Sequence, residues 1–375
     1  MVNTTTYDYA IVGGGLAGLS LAIQLRKLHL NVVLFEKESY PFHRVCGEYI
    51  SMESWNFLVG LGVPLNTLNL PLIDTLNVSA PNGKLLTHKL PLGGFGISRF
   101  KLDYLLFQLA QKLGVQVQTD CMVMDVKDNQ IKTTKGVFEA KHTIGTWGKR
   151  SKIDAALTRD FLQPKNRKLN NYVGVKYHVK GNLPANTIAL HNFKNGYCGI
   201  SKIEDNLYCL CYLVKGNELK KANGNIKKME ENLLMKNPFL KKYFTEFPSA
   251  YHKPLSISQI SFEPKTQQEQ GIVMVGDAAG LIAPLCGNGM SMALHASVLL
   301  AKQIALVQQE NKPYAQALVA YEKEWKLQFS NRLKAGRIIQ SLFGNPTLTN
   351  MLISALKPFP TLVNALVKQT HGKPF

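Results

Sequence analysis

The sequence predicts an α/β protein with a parallel β-sheet layered by helices, a second region rich in β-strands, and a helical C-terminus. Three observations support this fold class. The chain opens with a strand–helix–strand pattern over residues 7–36, strand-like alternation dominates residues 172–262, and a buried strand with a glycine turn near residue 272 precedes a long helical region. With 375 residues, of which 45% are apolar, the chain can form two closely packed domains.

A glycine-rich turn connects the first strand to the first helix, in the segment YAIVGGGLAGLSLAIQL. Gly13, Gly15 and Gly18 have the spacing G-x-G-x-x-G, in which glycines permit a tight turn, close approach of the backbone to a pyrophosphate, and close packing of helix on strand. Leu16 and Ala17 begin the helix, whose unpaired N–H groups can bind phosphate oxygens.

An acidic residue ends the second strand, where a ribose contact is expected. Glu36 lies 18 residues beyond Gly18, and its carboxylate can accept hydrogen bonds from both ribose hydroxyls; Lys37 follows it. Together with the glycines, this residue indicates a Rossmann-like dinucleotide-binding domain. The motif by itself leaves NAD and FAD as alternatives.

The middle of the chain alternates between β and α patterns. Residues 65–97 are interrupted by proline and glycine and predict strands with loops, and residues 100–113 predict a helix. Short strands over 115–140 predict a β meander. Residues 172–262 predict a second sheet, interrupted by a helix over 225–244.

A second glycine motif, in GIVMVGDAAGLIAPLCGNGMSM, distinguishes the two cofactors. An NAD dehydrogenase has no need of this element, whereas FAD has a ribitol chain and a flavin ring beyond its pyrophosphate. We expect Asp277 to bind a ribitol hydroxyl, and the following turn and helix start to direct N–H dipoles at the flavin edge that becomes negative on reduction. The predicted contacts are Gly276, Asp277, Pro284, Gly287, Asn288, Gly289 and Met290.

With both glycine motifs in place, the chain resembles the FAD-dependent oxidoreductases of the aromatic-hydroxylase superfamily. It is most similar to the geranylgeranyl reductase-like branch and its monooxygenase relatives, over most of its length. The resemblance implies non-covalent FAD. It also implies that Arg44 and Cys46 of HRVCGEYIS and Arg99 of SRFKLDYLL approach the cofactor, and that the strand at Val123 contacts the adenine.

One segment departs from this superfamily. Members usually contain GADGxxS, with an aspartate that helps to organise the cofactor and pyridine nucleotide, but here Trp147 replaces that acid within GTWGKRS. Direct reduction by NAD(P)H and reduction through a separate reductase are therefore both open.

The resemblance implies two alternative reactions. A reductase transfers hydride from reduced flavin to a double bond, whereas a monooxygenase acts through a C4a-hydroperoxide. The CGE and PLCGNG segments resemble the reductase-like branch, so a reductase is the first hypothesis. Cys46 and Glu48 are candidate catalytic residues, with Glu48 as the acid; Cys46 could alternatively be small apolar filler. A halogenase is disfavoured because WxWxIP is missing, and a non-catalytic flavin-binding interaction module is disfavoured by the intact cofactor motifs.

A hydrophobic substrate of the isoprenoid, lipid or polyketide type is expected from the apolar strands near the middle of the chain. The candidate pocket residues are Tyr197, Ile200, Tyr208 and Leu210, with ordinary core packing as the alternative interpretation.

Basic residues are in large excess. The net charge is +19, and from Lys302 onward ten Lys and Arg oppose three Glu, a net +7. This excess favours contact with an anionic membrane surface or an acidic carrier protein that delivers the substrate, although solubilising lysines explain it equally well. No nucleic-acid motif accompanies the charge. Six cysteines without CxxC spacing and a start without a signal-peptide pattern predict a cytoplasmic protein without a metal site, with association to a membrane as an open alternative.

These elements predict a discontinuous organisation. The FAD-binding domain is expected to comprise residues 1–70, 98–165 and 263–345, the substrate-binding β domain 71–97 and 166–262, and a helical tail 346–375.

Overall fold

The computed structural model describes residues 6–163 and 171–375. Two β-sheets and a set of helices form its framework. In the described residues the strands are β1 (Thr6–Val12), β2 (Val32–Phe35), β3 (Tyr49–Ser51), β4 (Leu72–Ser79), β5 (Leu85–Gly96), β6 (Gln116–Gln118), β7 (Val123–Lys127), β8 (Gln130–Thr133), β9 (Gly136–Gly145), β10 (Tyr172–Lys180), β11 (Thr187–Phe193), β12 (Gly196–Lys202), β13 (Leu207–Lys215), β14 (Leu255–Ile260), β15 (Gln268–Glu269) and β16 (Ile272–Met274).

The helices cover the sheets and form the C-terminal region. They are α1 (Leu16–Lys27), α2 (Trp55–Leu61), α3 (Arg99–Lys112), α4 (Lys152–Ala156), α5 (Gly216–Lys221), α6 (Ile226–Leu233), α7 (Pro238–Glu246), α8 (Gly289–Gln309), α9 (Tyr314–Leu342), α10 (Pro346–Leu356) and α11 (Pro360–Thr370).

The first sheet places the ends of its parallel strands at one edge. Its order is β15-β16-β9-β1-β2-β6, and β7 and β8 extend it from β9. Val12 at the end of β1 pairs in parallel with Phe35 on one side and Gly145 on the other, and Gly145 also pairs with Met274. Because the carboxyl ends of β1, β2, β9 and β16 coincide, the loops that follow them lie side by side, as in other dinucleotide-binding sheets.

The helix that follows the first glycine turn packs on the long helix α8. Two buried serines connect them, since the Ser20 hydroxyl donates to the Ser297 hydroxyl at 2.9 Å. By length and composition α8 could cross a membrane, but 67% of its apolar window is buried inside the protein, where it packs on α1 and α9. Its apolar character is therefore that of a core helix.

The second sheet has the order β14-β10-β13-β12-β11-β4-β5-β3. One of its faces forms a core with α6 and α7, through side chains such as Leu210, Leu234 and Tyr243. The single helix predicted over 225–244 is in fact two helices. Asn237 caps α7 through a hydrogen bond from the Phe239 backbone N–H at 3.0 Å, and a proline at the first position of α7 cannot continue the preceding hydrogen bonds.

The glycine turn generates a stability prediction. Gly18→Ala is expected to lower the free energy of unfolding by about 1–3 kcal/mol, because overpacking of a buried contact is destabilising. An added Cβ would lie 2.0 Å from the Gly13 carbonyl oxygen and 2.7 Å from the Thr146 hydroxyl. Urea-induced unfolding at neutral pH measures the change.

The matched control is Gly60→Ala in α2, where no atom lies within 4 Å of the added Cβ. That substitution is expected to raise the stability by up to about 1 kcal/mol, because alanine favours helix over glycine. Equal effects of the two substitutions would contradict the packing argument.

Candidate functional site

The first glycine turn lies at the carboxyl edge of the first sheet, where dinucleotide-binding sheets form a groove for the cofactor. Gly13 has φ +115°, and a Cβ there would lie 2.5 Å from the Thr146 carbonyl oxygen. A Cβ on Gly15 would lie 3.4 Å from a guanidinium nitrogen of Arg99. The bare backbone of this turn therefore faces a cation, which suits a pyrophosphate.

The second glycine motif meets the first. Gly276 has φ +69°, and a Cβ on it would lie 3.0 Å from the Cβ of Ala17 and 3.5 Å from that of Ala293. In the described residues no hydrogen bond satisfies the half-buried Asp277 carboxylate, which can therefore bind a hydroxyl of a ligand. These glycines, the Arg99 guanidinium and the open Asp277 carboxylate fit the phosphates and ribitol of FAD.

Glu36 is buried at the end of β2, where the adenosine ribose is expected. Its carboxylate accepts from the Gly14 N–H at 2.9 Å and from Arg44 Nη2 at 2.7 Å. The Cys121 N–H donates to the Glu36 carbonyl, which brings the predicted adenine-side strand at Val123 close to this residue. Lys37, by contrast, is exposed, and its ammonium lies 3.4 Å from Glu38.

Two arginines share the buried carboxylate of Asp103. Arg44 Nε donates to it at 3.1 Å, and Arg99 donates at 2.6 and 2.8 Å. Burial favours a lower pKa for Arg99, but the charge of Asp103, followed by Cys46 and Asp277, raises the pKa above its ordinary value. Both side chains are therefore fixed cations beside the groove.

The turn before α8 is partly occupied by the protein's own contacts. It begins at Pro284, and Gly287 has φ +64°. The side-chain amide of Asn288 is buried and donates to Glu53 at 2.6 Å, so only its backbone is free for a flavin. Met290, in the first turn of the helix that begins at Gly289, contacts Cys46 with 3.5 Å between the two sulfurs.

The loop that carries Cys46 is held by side chains from other elements. Three of its backbone carbonyls accept long-range hydrogen bonds, which fix its position above the second sheet. The bonds are Lys176 Nζ to Arg44 O at 3.1 Å, Lys149 Nζ to Val45 O at 3.1 Å, and Cys209 Sγ to Cys46 O at 3.2 Å.

Glu48 anchors the end of this loop and has no exposed surface. Its carboxylate accepts from the Arg99 N–H at 2.8 Å, Lys176 Nζ at 2.5 Å and His178 Nε2 at 2.5 Å. Burial favours a higher pKa for Glu48, but His178 and Lys176 outweigh it and lower the pKa. The predicted acid is thus an ionised carboxylate turned away from open space, which positions the loop.

A hydrogen-bonded chain leads from Glu48 to the surface. His178 Nδ1 lies 2.6 Å from the Tyr251 hydroxyl, which lies 2.9 Å from Nδ1 of His43. The donor atoms of Glu48, His178 and Cys209 are close enough together for a metal ion. Because the Lys176 ammonium already binds Glu48, a cation there would be repelled.

A weak sequence signal exists for Lys176 and His178. Lys176 and His178 alternate with apolar residues in YVGVKYHV, and two polar side chains at this spacing point to the same face of a strand. Their partner Glu48 is 128 residues away from Lys176, so only the tertiary structure connects them.

Trp147, at the position of the missing superfamily aspartate, contacts another acid. Its indole Nε1 donates to Asp154 at 3.0 Å. Asp154 also binds the buried Arg159 at 2.8 Å, and Arg159 donates to the Ala278 carbonyl at 2.9 Å. A carboxylate that sequence analysis missed therefore lies behind the Asp277 loop, but it is already paired.

The predicted pocket residues do not share one face, which corrects the sequence prediction. Side chains alternate along a strand, so Ile200, Tyr208 and Leu210 pack in the core with α6 and α7. The Tyr208 hydroxyl donates to the Leu183 carbonyl at 2.5 Å. Tyr197 alone of the four belongs to the core cluster shared with the first sheet.

Small and sulfur-bearing side chains occupy the opposite face, next to the cofactor groove. Cys211 is directly opposite Gly199 on the neighbouring strand, and a Cβ on Gly174 would lie 3.2 Å from Val45. Burial raises the pKa of Cys211 to about 12 and that of Cys286 to about 12, so both are neutral thiols.

A cavity of about 490 Å³ continues from this face toward the C-terminal helices. Its size is in the usual range for small-molecule sites. Strands β10, β12 and β13, the end of α9 and the following loop form its walls, with Tyr172, Lys194, Asn195, Gly196, Tyr197, Leu213, Lys215, Phe262, Arg337, Gln340, Ser341, Phe343, Gly344, Asn345 and Pro346 as lining residues.

The Glu48 cluster generates a pH-dependent prediction. Glu48→Gln is expected to lower the free energy of unfolding at pH 7 by about 3–5 kcal/mol, because it leaves the buried Lys176 charge without its partner. The folded-state pKa of Glu48 lies below its ordinary 4.5. Its ionised form therefore stabilises the fold above that pH, and this contribution is lost as the pH falls through the folded-state pKa.

Urea unfolding of the wild type and of Glu48→Gln at pH 7 and near pH 4 tests this. The difference in unfolding free energy between the two proteins should shrink at the lower pH. Glu246→Gln, at an exposed position, is the control and should change stability by less than about 0.5 kcal/mol. A difference independent of pH would show that Glu48 is not ionised.

Comparison with known proteins relates the chain to FAD-binding proteins. The profile of a family described as FAD binding domain matches residues 6–332. Conditioned medium factor receptor 1 of Dictyostelium discoideum is 23% identical over 90% of this chain and 70% of that protein. Digeranylgeranylglycerophospholipid reductase 1 of Methanococcoides burtonii is 24% identical over 90% of this chain and 84% of that protein.

Among solved structures, a flavin-dependent brominase has a TM-score of 0.75 at 20% identity and covers 98% of this chain and 93% of its own. Its likeness concerns the fold, since one fold supports several reactions. The family match, in contrast, spans both glycine motifs and the strands of both sheets. The chain therefore belongs to the FAD-binding domain family of the aromatic-hydroxylase superfamily and is an FAD-dependent oxidoreductase.

Proposed function

We propose that this oxidoreductase reduces a carbon–carbon double bond in a hydrophobic substrate of the isoprenoid, lipid or polyketide type. One observation favours this reaction over oxygenation: oxidisable sulfur atoms surround the turn expected at the flavin. Cys46 and Met290 are in contact there, Cys286 lies within the turn itself, and Cys211 lies on the facing sheet.

The chemistry of sulfur supports this choice. Thiols and thioethers are readily converted to sulfenic acids and sulfoxides by peroxidic species. Oxygenation would require a peroxidic species at every turnover, whereas reduction, for which bound FAD would supply a hydride, requires none. Four sulfur side chains at the reacting face are therefore compatible with reduction.

The second requirement is a proton for the other carbon of the double bond. The half-buried Cys46 thiol is the proposed donor, because its loop is fixed above the second sheet and it contacts Met290 of the expected flavin turn. Glu48 holds that loop in place without touching the substrate. The thiolate left by proton transfer regains a proton from solvent before the next turnover.

The electron donor is part of the proposal. Trp147 occupies the position of the aspartate that assists pyridine-nucleotide use in the superfamily, and the nearby Asp154 is bound to Arg159. We therefore propose a separate reductase as the source of electrons, with NAD(P)H as the alternative.

The C-terminal helices support substrate delivery from a membrane. Large apolar side chains are exposed on them, including Met351 at 65% and Leu362 at 50%. Basic Lys326 and Lys334 lie on the preceding helix, so apolar insertion and attraction to anionic lipid could act together.

The double substitution Lys326→Glu and Lys334→Glu should weaken co-sedimentation of the protein with phosphatidylserine vesicles. Unchanged binding would favour delivery of the substrate by a carrier protein or from solution.

Flavin binding gives the first test. Asp277→Ala and Gly15→Val are each expected to weaken FAD binding about tenfold or more, because one loses a ribitol acceptor and the other fills the pyrophosphate groove. The visible flavin absorbance per chain measures this. Glu231→Ala, at an exposed position of α6, is the control and should keep its flavin; full retention in both site variants would contradict the groove.

The reaction itself is tested by single turnover. The FAD-loaded protein is reduced with dithionite without oxygen and mixed with polyunsaturated isoprenoids, and products are identified by mass spectrometry. Gain of two hydrogens, slowed about a hundredfold in Cys46→Ala, is expected for a proton donor. A product that gains one oxygen atom when air is admitted, without any hydrogenated product, would replace the reductase by a monooxygenase.

A further inference from the structure

The cavity beside the second sheet has two chemically different ends. Its inner wall is apolar and buried, with Tyr197, Leu213 and Phe262 each at most 6% exposed. Its outer rim has exposed Lys194 and Lys215 and half-buried Arg337. A ligand that fills it therefore meets an aromatic interior and a cationic entrance.

The basic side chains at the entrance are not paired with acids within the described parts of the chain. Among residues 6–163 and 171–375 none of these three side chains has an ion-pair partner. Glu218 lies beside the lining residue Asn195, from whose amide it accepts at 3.0 Å, but Lys221 also binds it at 2.7 Å. Within these residues the rim therefore offers positive charge that an anion can bind.

Hydrogen-bonding side chains line the same cavity. They are the amides of Asn195, Gln340 and Asn345. A polar head group that enters the cavity therefore meets hydrogen-bonding groups as well as positive charge.

The inner end of the cavity points toward the proposed reacting groups. Tyr197, which lines it, belongs to the same buried cluster as Cys286 of the turn before α8. Gly336, one residue before the rim arginine, packs on the turn before α8, since an added Cβ there would lie 3.2 Å from Cys286 Sγ. The apolar wall thus separates the rim from the flavin turn.

We propose that this cavity binds an amphipathic substrate with a phosphate or carboxylate head, held by Lys194, Lys215 and Arg337, and an apolar unsaturated part directed past Tyr197 toward the flavin turn. This inference rests on the proposed reduction and names the substrate class. An arginine and two lysines can bind either oxyanion through charge-assisted hydrogen bonds. The head fixes which double bond reaches the reacting atoms.

Binding to the FAD-loaded protein tests the proposal without turnover. Isothermal titration calorimetry with farnesyl phosphate, farnesoic acid, farnesol and inorganic phosphate separates head from tail. The two anionic amphiphiles are expected to bind at least about tenfold more tightly than farnesol, and inorganic phosphate at least about tenfold more weakly than farnesyl phosphate. Preference for the phosphate or the carboxylate identifies the head.

Two variants locate the site. Lys215→Met and Arg337→Met are each expected to weaken binding of the anions about tenfold and to leave farnesol binding unchanged. Lys323→Met, on an exposed part of α9 outside the cavity, is the matched control and should behave like the wild type. Anion binding by both cavity variants as tight as that of the wild type would overturn the assignment, as would farnesol binding as tightly as farnesyl phosphate.

The outcome is distinguishable from failure of the proposed reaction. Tight, arginine-dependent anion binding without hydrogenated product would retain this site and reject the reductase. Reduction of farnesol and farnesyl phosphate with equal KM would retain the reductase and reject the anionic head. Circular dichroism of each variant shows that it is folded before binding is compared.

Discussion

The whole site depends on one buried carboxylate. Glu48 ends the loop that carries Cys46, and its oxygens bind the start of α3 and two side chains of β10. A single ionised group thereby connects the cofactor-binding sheet to the second sheet. Removal of such a group from water is compensated only when its partners are complete, so the arrangement has little freedom to shift.

The consequence is a fixed geometry at the reacting face. Lys176 of β10 also binds the Arg44 carbonyl, and Cys209 of β13 binds the Cys46 carbonyl. The second sheet therefore holds the loop backbone, while the side chains of Arg44 and Cys46 lie toward the expected cofactor site. Arg44 binds both Glu36 and Asp103, which links this loop to the adenosine end as well. The two arginines around Asp103 and the Lys176 and His178 side chains around Glu48 therefore form one framework beside the expected cofactor site.

Sequence patterns with local physical causes were sufficient for much of this description. The glycine spacing, the acid after β2 and the Gly276–Asp277 turn each require a particular residue type at a fixed distance along the chain, so the sequence shows them directly. The face of the second sheet that lines the substrate cavity could not be predicted in this way. Ile200 and Tyr197 are three residues apart in one strand and necessarily point to opposite sides, and hydrophobicity alone did not distinguish a side buried by helices from one beside a cavity.

The sequence by itself determined the fold class and the cofactor family, because both follow from short-range patterns that any chain with these residues must satisfy. Only the tertiary structure decided what Glu48 does, which face of β12 and β13 meets the groove, and that three basic residues share one cavity rim. Those features join residues that are about 20 to 140 positions apart in the chain. Their energies arise from desolvation and charge pairing across packed elements, for which no periodic signal exists along the chain.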